Sequence, residues 1–66
     1  MISKQRVIEL SLIPGVNRTF LINFLSTLDF ESKEEALNAL KLDLKTHKVN
    51  AKTIEVIQKA IEVNYQ

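Results

Sequence analysis

Leu12-Ile13-Pro14-Gly15-Val16-Asn17-Arg18-Thr19-Phe20-Leu21-Ile22-Asn23-Phe24-Leu25 reads as the end of one helix, a four-residue turn and the start of a second, amphipathic helix. Proline lacks the N–H that a helix interior needs and disfavours helical geometry in the residue before it, so Ile13 is expected to end the first helix. Pro14 and Gly15 suit the central positions of a type II turn, where proline presets φ and glycine accepts a positive φ that a Cβ would resist. Asn17 can then cap the next helix by accepting an N–H from its first turn. A hairpin of this kind turns several backbone N–H groups outward, and such donors suit an anion, phosphate above all.

Working outward, Ser3 can cap a first helix from about Lys4 to Leu12. Its apolar residues Val7, Ile8, Leu10, Leu12 and Ile13 spread widely enough to predict a central helix covered on two sides. The second helix, about Arg18 to Leu28, has a narrower stripe of Phe20, Leu21, Phe24, Leu25 and Leu28 at helical spacing. Asp29 to Ser32 breaks the pattern, and Ser32 with Glu35 forms a capping box in which each satisfies the other's N–H. A third helix should run from there to about Leu42 with Ala36, Leu37 and Leu40 inward, and with Glu34 and Glu35 at the positive end of its dipole. Asp43 to Val49 reads as a connector and Asn50 as the cap of a fourth helix reaching about Val63.

Sixty-six residues allow one small domain, 1–66, held by its core alone, since no cysteine is present for a disulfide or a thiolate metal site. An apolar fraction of 45% is ordinary for a globular chain and argues against disorder, and a single Gly and a single Pro, both in the hairpin, argue for helix. No apolar run is long enough to span a bilayer and Met1-Ile-Ser-Lys lacks the layout of a signal peptide, so a cytoplasmic location is expected. No Ser-His-Asp set, carboxylate cluster or metal-ligand spacing occurs, so neither an enzyme nor a cofactor is expected. His47, the single histidine, has no partner at ligand spacing. A net charge of +1 leaves any case for a polyanion partner to the distribution of charge.

Sliding the chain so that Val16-Asn17 falls on Val49-Asn50 also aligns Leu21 with Ile54, Phe24 with Ile57 and Leu28 with Ile61. The expected architecture is therefore an all-α compact bundle of about four helices, built as two helix-hairpin-helix units. The second unit is degenerate: Lys48 stands where Gly15 stands and Thr46 or His47 where Pro14 stands, so its turn must use other geometry.

Two sets of residues are candidates for contact with DNA. The backbone N–H groups of Gly15, Val16, Asn17, Arg18 and Thr19 can meet a phosphate, with the helix dipole and the Arg18 side chain adding positive potential. The plainer alternative is a Pro-Gly turn that only joins two helices. The basic run Lys41, Lys45, His47, Lys48 and Lys52 surrounds the degenerate hairpin and contrasts with the acidic Asp29, Glu31, Glu34 and Glu35. Lys45, Lys48 and Lys52 are the phosphate candidates there, and a solvated face is the alternative. Phe20, Phe24 and Phe30 read as packing residues rather than a base-stacking platform, with Tyr65 the exposed aromatic. On the fourth helix Val56, Ala60 and Val63 lie opposite the stripe of Ile54, Ile57, Ile61 and Tyr65. They are either scattered surface apolars or a contact face for a following domain or another copy.

The run from Leu12 to Asn17 resembles the helix-hairpin-helix family, whose hairpin has an apolar residue, Pro, Gly, an aliphatic residue and Gly; Asn17 replaces the last of these. Within it, Leu10-Ser-Leu-Ile-Pro-Gly-Val16 and Phe30-Glu-Ser-Lys-Glu-Glu-Ala-Leu37 together resemble the N-terminal domain of the bacterial DNA-processing protein A family, also called DprA or Smf. Glu31 departs from the glycine common after that phenylalanine. The resemblance covers nearly the whole chain and implies an N-terminal module of a larger DNA-processing protein. Its setting would be natural transformation and DNA recombination. It also implies a C-terminal Rossmann-like domain as a partner; this chain carries no glycine-rich strand-to-helix loop of its own. The function expected is a weak, sequence-independent, accessory DNA contact, with interdomain or protein–protein docking as the alternative.

Overall fold

Ser3 opens the first helix as expected, its Oγ accepting the N–H of Arg6 at 3.1 Å. In the computed structural model, which describes residues 2–66, this helix, α1, spans Lys4–Ser11. Leu12 is its C-cap, and Ile13 donates to the Leu10 carbonyl at 3.2 Å just before Pro14 stops the chain. α2 spans Arg18–Ser26 and ends short of Leu28. The Thr27 hydroxyl turns back onto the carbonyls of Asn23 and Phe24, at 3.2 and 3.0 Å, and the Thr27 and Leu28 N–H groups tighten to bonds three residues back. Leu28 stays buried all the same.

α3 spans Lys33–Leu44 and α4 Ala51–Asn64. Ser32 caps α3 by accepting the Glu35 N–H at 3.2 Å. The reciprocal half of the box is displaced by one residue: the Glu35 carboxylate accepts from Glu31, at 3.1 Å, rather than from Ser32. Asn50 caps α4, its Oδ1 accepting the Thr53 N–H at 2.9 Å. The described residues contain no strand, so the fold is an all-α bundle of four helices.

α1 packs on α2, α3 packs on α4, and α2 meets α4 between them. The inner pair is thus α2 and α4, and Leu21, Ile57 and Ile61 are 0% exposed there. The expectation of a central first helix is corrected. Val7 and Leu10 face the core, but Ile8 and Leu12 are 49% and 64% exposed because α2 covers only one side of α1. Tyr65 is also not the free aromatic expected. It is half-buried against the core, and its hydroxyl accepts the Phe30 N–H at 2.9 Å, tying the end of α4 to the link between α2 and α3. A radius of gyration of 10.7 Å matches the value of about 10.8 Å for a compact chain of this length. Among the described residues no helix is long and apolar enough to cross a membrane.

Candidate functional site

Gly15 has φ +90° and the Val16 N–H donates to the Ile13 carbonyl at 3.4 Å, which makes Ile13 to Val16 the expected type II turn. Gly15 is the one described residue with positive φ. A Cβ placed on it would lie 4.0 Å from Cγ of Lys52, ordinary contact, so the need for glycine there is conformational. The same proximity sets the first turn of α4 against the hairpin.

What joins them is a small polar network. Thr53, 0% exposed, accepts the Asn17 backbone N–H on its Oγ1 at 2.7 Å. Its hydroxyl proton faces the Oδ1 atoms of Asn50 and Asn17, at 2.7 and 3.0 Å. The Asn50 backbone N–H donates to Asn17 Oδ1 at 3.0 Å, and Asn50 Nδ2 donates to the Gly15 carbonyl at 2.7 Å. The two asparagines aligned by the internal repeat are therefore bonded to each other.

This network corrects the expected role of Asn17. It occupies the N-cap position of α2, yet its side chain makes no capping bond, being turned across to α4. The Leu21 N–H reaches the Asn17 carbonyl at 3.0 Å, while no acceptor among the described residues takes the N–H groups of Arg18, Thr19 and Phe20. Of the five N–H groups expected to face an anion, two are consumed inside the fold: Val16 closes the turn and Asn17 bonds Thr53. Val16 also packs its half-buried side chain on the core.

The start of α2 is electropositive, as are the starts of α1 and α4, whose first turns also lack an acidic residue; the missing side-chain cap is what sets α2 apart. Its first turn has no acidic residue and carries Arg18, a cation at the positive end of the helix dipole. Arg18 is exposed and is in neither ion pair of the described residues, which are Arg6–Glu9 and Lys52–Glu55 at 3.3 and 3.8 Å. A helix start normally has a cap and nearby carboxylates; forgoing the cap alone costs about 1 kcal/mol.

The link between α3 and α4 brings further positive charge to this place. His47 lies on Phe20 of α2, ring centroids 5.4 Å apart, and Asn50 lies on Asn17, so Lys48 is held between two contacts with the hairpin side. Lys48 and Lys52 are exposed. Lys45 is the C-cap residue of α3 and Lys41 sits in its last turn, where cations offset the negative end of that dipole, so these two have a structural reason for their positions. The link contains no positive φ; it closes through the Thr46 hydroxyl and the His47 N–H, both donating to the Asp43 carbonyl at 3.2 and 3.1 Å.

Two open grooves flank the site. One, about 620 Å³, runs between α1 and α4 and is lined by Leu10, Ile13, Val56, Ala60 and Val63, with Arg6 and Lys59 among its polar residues. The second face of α4 is thus real but partly covered: Ala60 is buried in the core, Val56 is half-buried and Val63 is 61% exposed. The other, about 500 Å³, lies between α2 and the end of α3 and is lined by Thr19, Phe20, Asn23, Phe24, Thr27, Asp43 and His47.

Thr53 and the contact of His47 with Phe20 were not identifiable as site features from local sequence. The only signal for the first was the alignment of Asn17 with Asn50. Compared with protein-family models, curated proteins and solved structures, the chain gives no match.

Proposed function

We propose that this domain is an accessory nucleic-acid contact module that grips the DNA phosphate backbone without sequence preference. The observation that carries this reading is the start of α2: uncapped, free of acidic residues and bearing Arg18. Its unpaired N–H groups are donors for a phosphate oxygen, and the dipole, Arg18, Lys48 and Lys52 supply the matching potential. The resemblance to the DNA-processing protein A family supports a bacterial setting in transformation and recombination. With so few phosphate contacts the affinity is modest, about 10⁻⁴ M or weaker at physiological salt.

A second reading, docking onto the Rossmann-like domain of a parent protein or onto another copy, draws on the groove between α1 and α4 with the apolar Val56 and Val63 and the cations Arg6 and Lys59. Fluorescence anisotropy of labelled DNA separates the two. In low salt the domain is expected to bind, with an affinity that falls as salt rises, and Lys48→Glu should weaken binding about tenfold and lower the salt slope by about one unit. Absence of binding at millimolar protein in low salt would overturn the DNA reading and favour docking.

A further inference from the structure

We infer that the groove between α1 and α4 receives an amphipathic helix of a partner protein, one that carries apolar side chains on the docking face and carboxylates beside them. The inference deepens the docking reading and rests on it, and it is independent of the phosphate contact at the start of α2. α1 packs on α2 rather than on α4, so a gap of about 620 Å³ stays open between α1 and α4. Leu10 and Ala60, each 8% exposed, form its floor, and Ile13, Val56 and Val63 its walls. From Val56 to Val63 the α4 wall rises about 10 Å, two helical turns, which is the reach of side chains at i, i+4 and i+7 of a docked helix.

The polar groups along the groove decide the character of the occupant. Ser3 Oγ accepts the Arg6 N–H, and Asn64 Nδ2 donates to the Ala60 carbonyl at 2.9 Å, so both side chains are used within their own helix. What remains is Arg6 and Lys59, both exposed, and none of the described residues lining the groove is acidic. Lys59 is in no ion pair of the described residues. Arg6 meets only Glu9, at 3.3 Å and with both side chains more than half exposed, a weak pair that gives way to a better placed carboxylate. An apolar floor between two cations fits a helix whose leucine-like side chains are flanked by Asp or Glu. A second copy fits less well, because a two-fold pairing of this face would gather the cations of both copies with no carboxylate from either lining.

The probe is a helix-favouring peptide of about 15 residues with leucine at i, i+4 and i+7 and glutamate on both flanks, titrated into the ¹⁵N-labelled domain. Its counterparts carry lysine for every glutamate, or serine for every leucine. The acidic peptide is expected to bind at least about fivefold tighter than the lysine peptide and to shift the amides of Leu10, Val56, Ala60 and Val63. Lys59→Glu should reverse that order, and Val63→Asp, at an exposed position, should weaken the acidic peptide by about the same factor with the circular dichroism unchanged. Equal binding of the acidic and lysine peptides, or of the leucine and serine versions, would overturn the inference. So would shifts confined to Arg18, Thr19 and Phe20, which would put the carboxylates at the start of α2 instead. No binding at millimolar peptide by a domain that self-associates in sedimentation would overturn the partner helix and keep docking, with a second copy as the occupant. No binding by a monomeric domain would overturn both.

Discussion

Thr53→Val is expected to destabilise the fold by about 2 kcal/mol and to weaken DNA binding although Thr53 itself is fully buried. Valine keeps the shape of threonine and removes one oxygen, and that oxygen accepts the Asn17 N–H at 2.7 Å and holds the Oδ1 atoms of Asn17 and Asn50. A donor stripped of its acceptor in a partly buried place costs about 1–3 kcal/mol. Asn17 Oδ1 then keeps only the Asn50 N–H, at 3.0 Å, and rotation of Asn17 onto its own helix to cap α2 would exchange that bond for a cap worth about 1 kcal/mol. That cap would occupy the first-turn N–H groups used by the proposed phosphate contact, so stability and binding are expected to fall together. Thermal unfolding followed by circular dichroism should register a drop of about 4–8 °C per kcal/mol for a domain of this size. Thr53→Ser, which retains the hydroxyl, should keep most of both properties. A valine variant as stable as the parent would remove the network from the account.

The largest loss of stability is expected from Ile57→Ala. Ile57 is 0% exposed on α4, the helix that joins the α3 pairing to the α2 pairing. Removing its outer atoms leaves a cavity between close-packed helices and costs about 2–5 kcal/mol. A domain of this length has only about 3–10 kcal/mol in total, so the variant should sit near the edge of folding. Urea titration should move the midpoint down with little change in slope. Val63→Ala is the internal control: at 61% exposure it should change stability by less than about 0.5 kcal/mol. Comparable losses for both would mean that the second face of α4 is packed rather than open.

The fold was legible where its signals are local. Pro14 and Gly15 each have a backbone reason to be in the turn, and Ser3, Ser32 and Asn50 cap the helices they precede. Helix ends were less legible, because the end of α2 depends on where the Thr27 hydroxyl turns, and periodicity carries no information on that. The burial of α1 misled for a related reason: the apolar pattern of Ile8 and Leu12 records hydrophobicity, while the number of neighbours available to cover them is set by the assembled bundle. Asn17 was the instructive case. By propensity it belongs at an N-cap, and it does occupy one, but the partner that claims its side chain is 36 residues away. No local rule weighs a capping bond against a distant buried hydroxyl. His47 likewise lacked a sequence partner within reach, since Phe20 comes to it only through the packing of α2 beside the α3–α4 link.

α2 begins with N–H groups that no acceptor among the described residues takes, and we propose that they hold a phosphate. The most direct measurement is a ¹H–¹⁵N correlation titration of the domain with a short oligodeoxynucleotide in low salt, following each backbone amide. The largest shifts are expected at Arg18, Thr19 and Phe20, with smaller ones at Lys48 and Lys52, and all should shrink as salt is added. Unchanged amides at the start of α2, or shifts confined to Val56 and Val63 in the groove between α1 and α4, would contradict it.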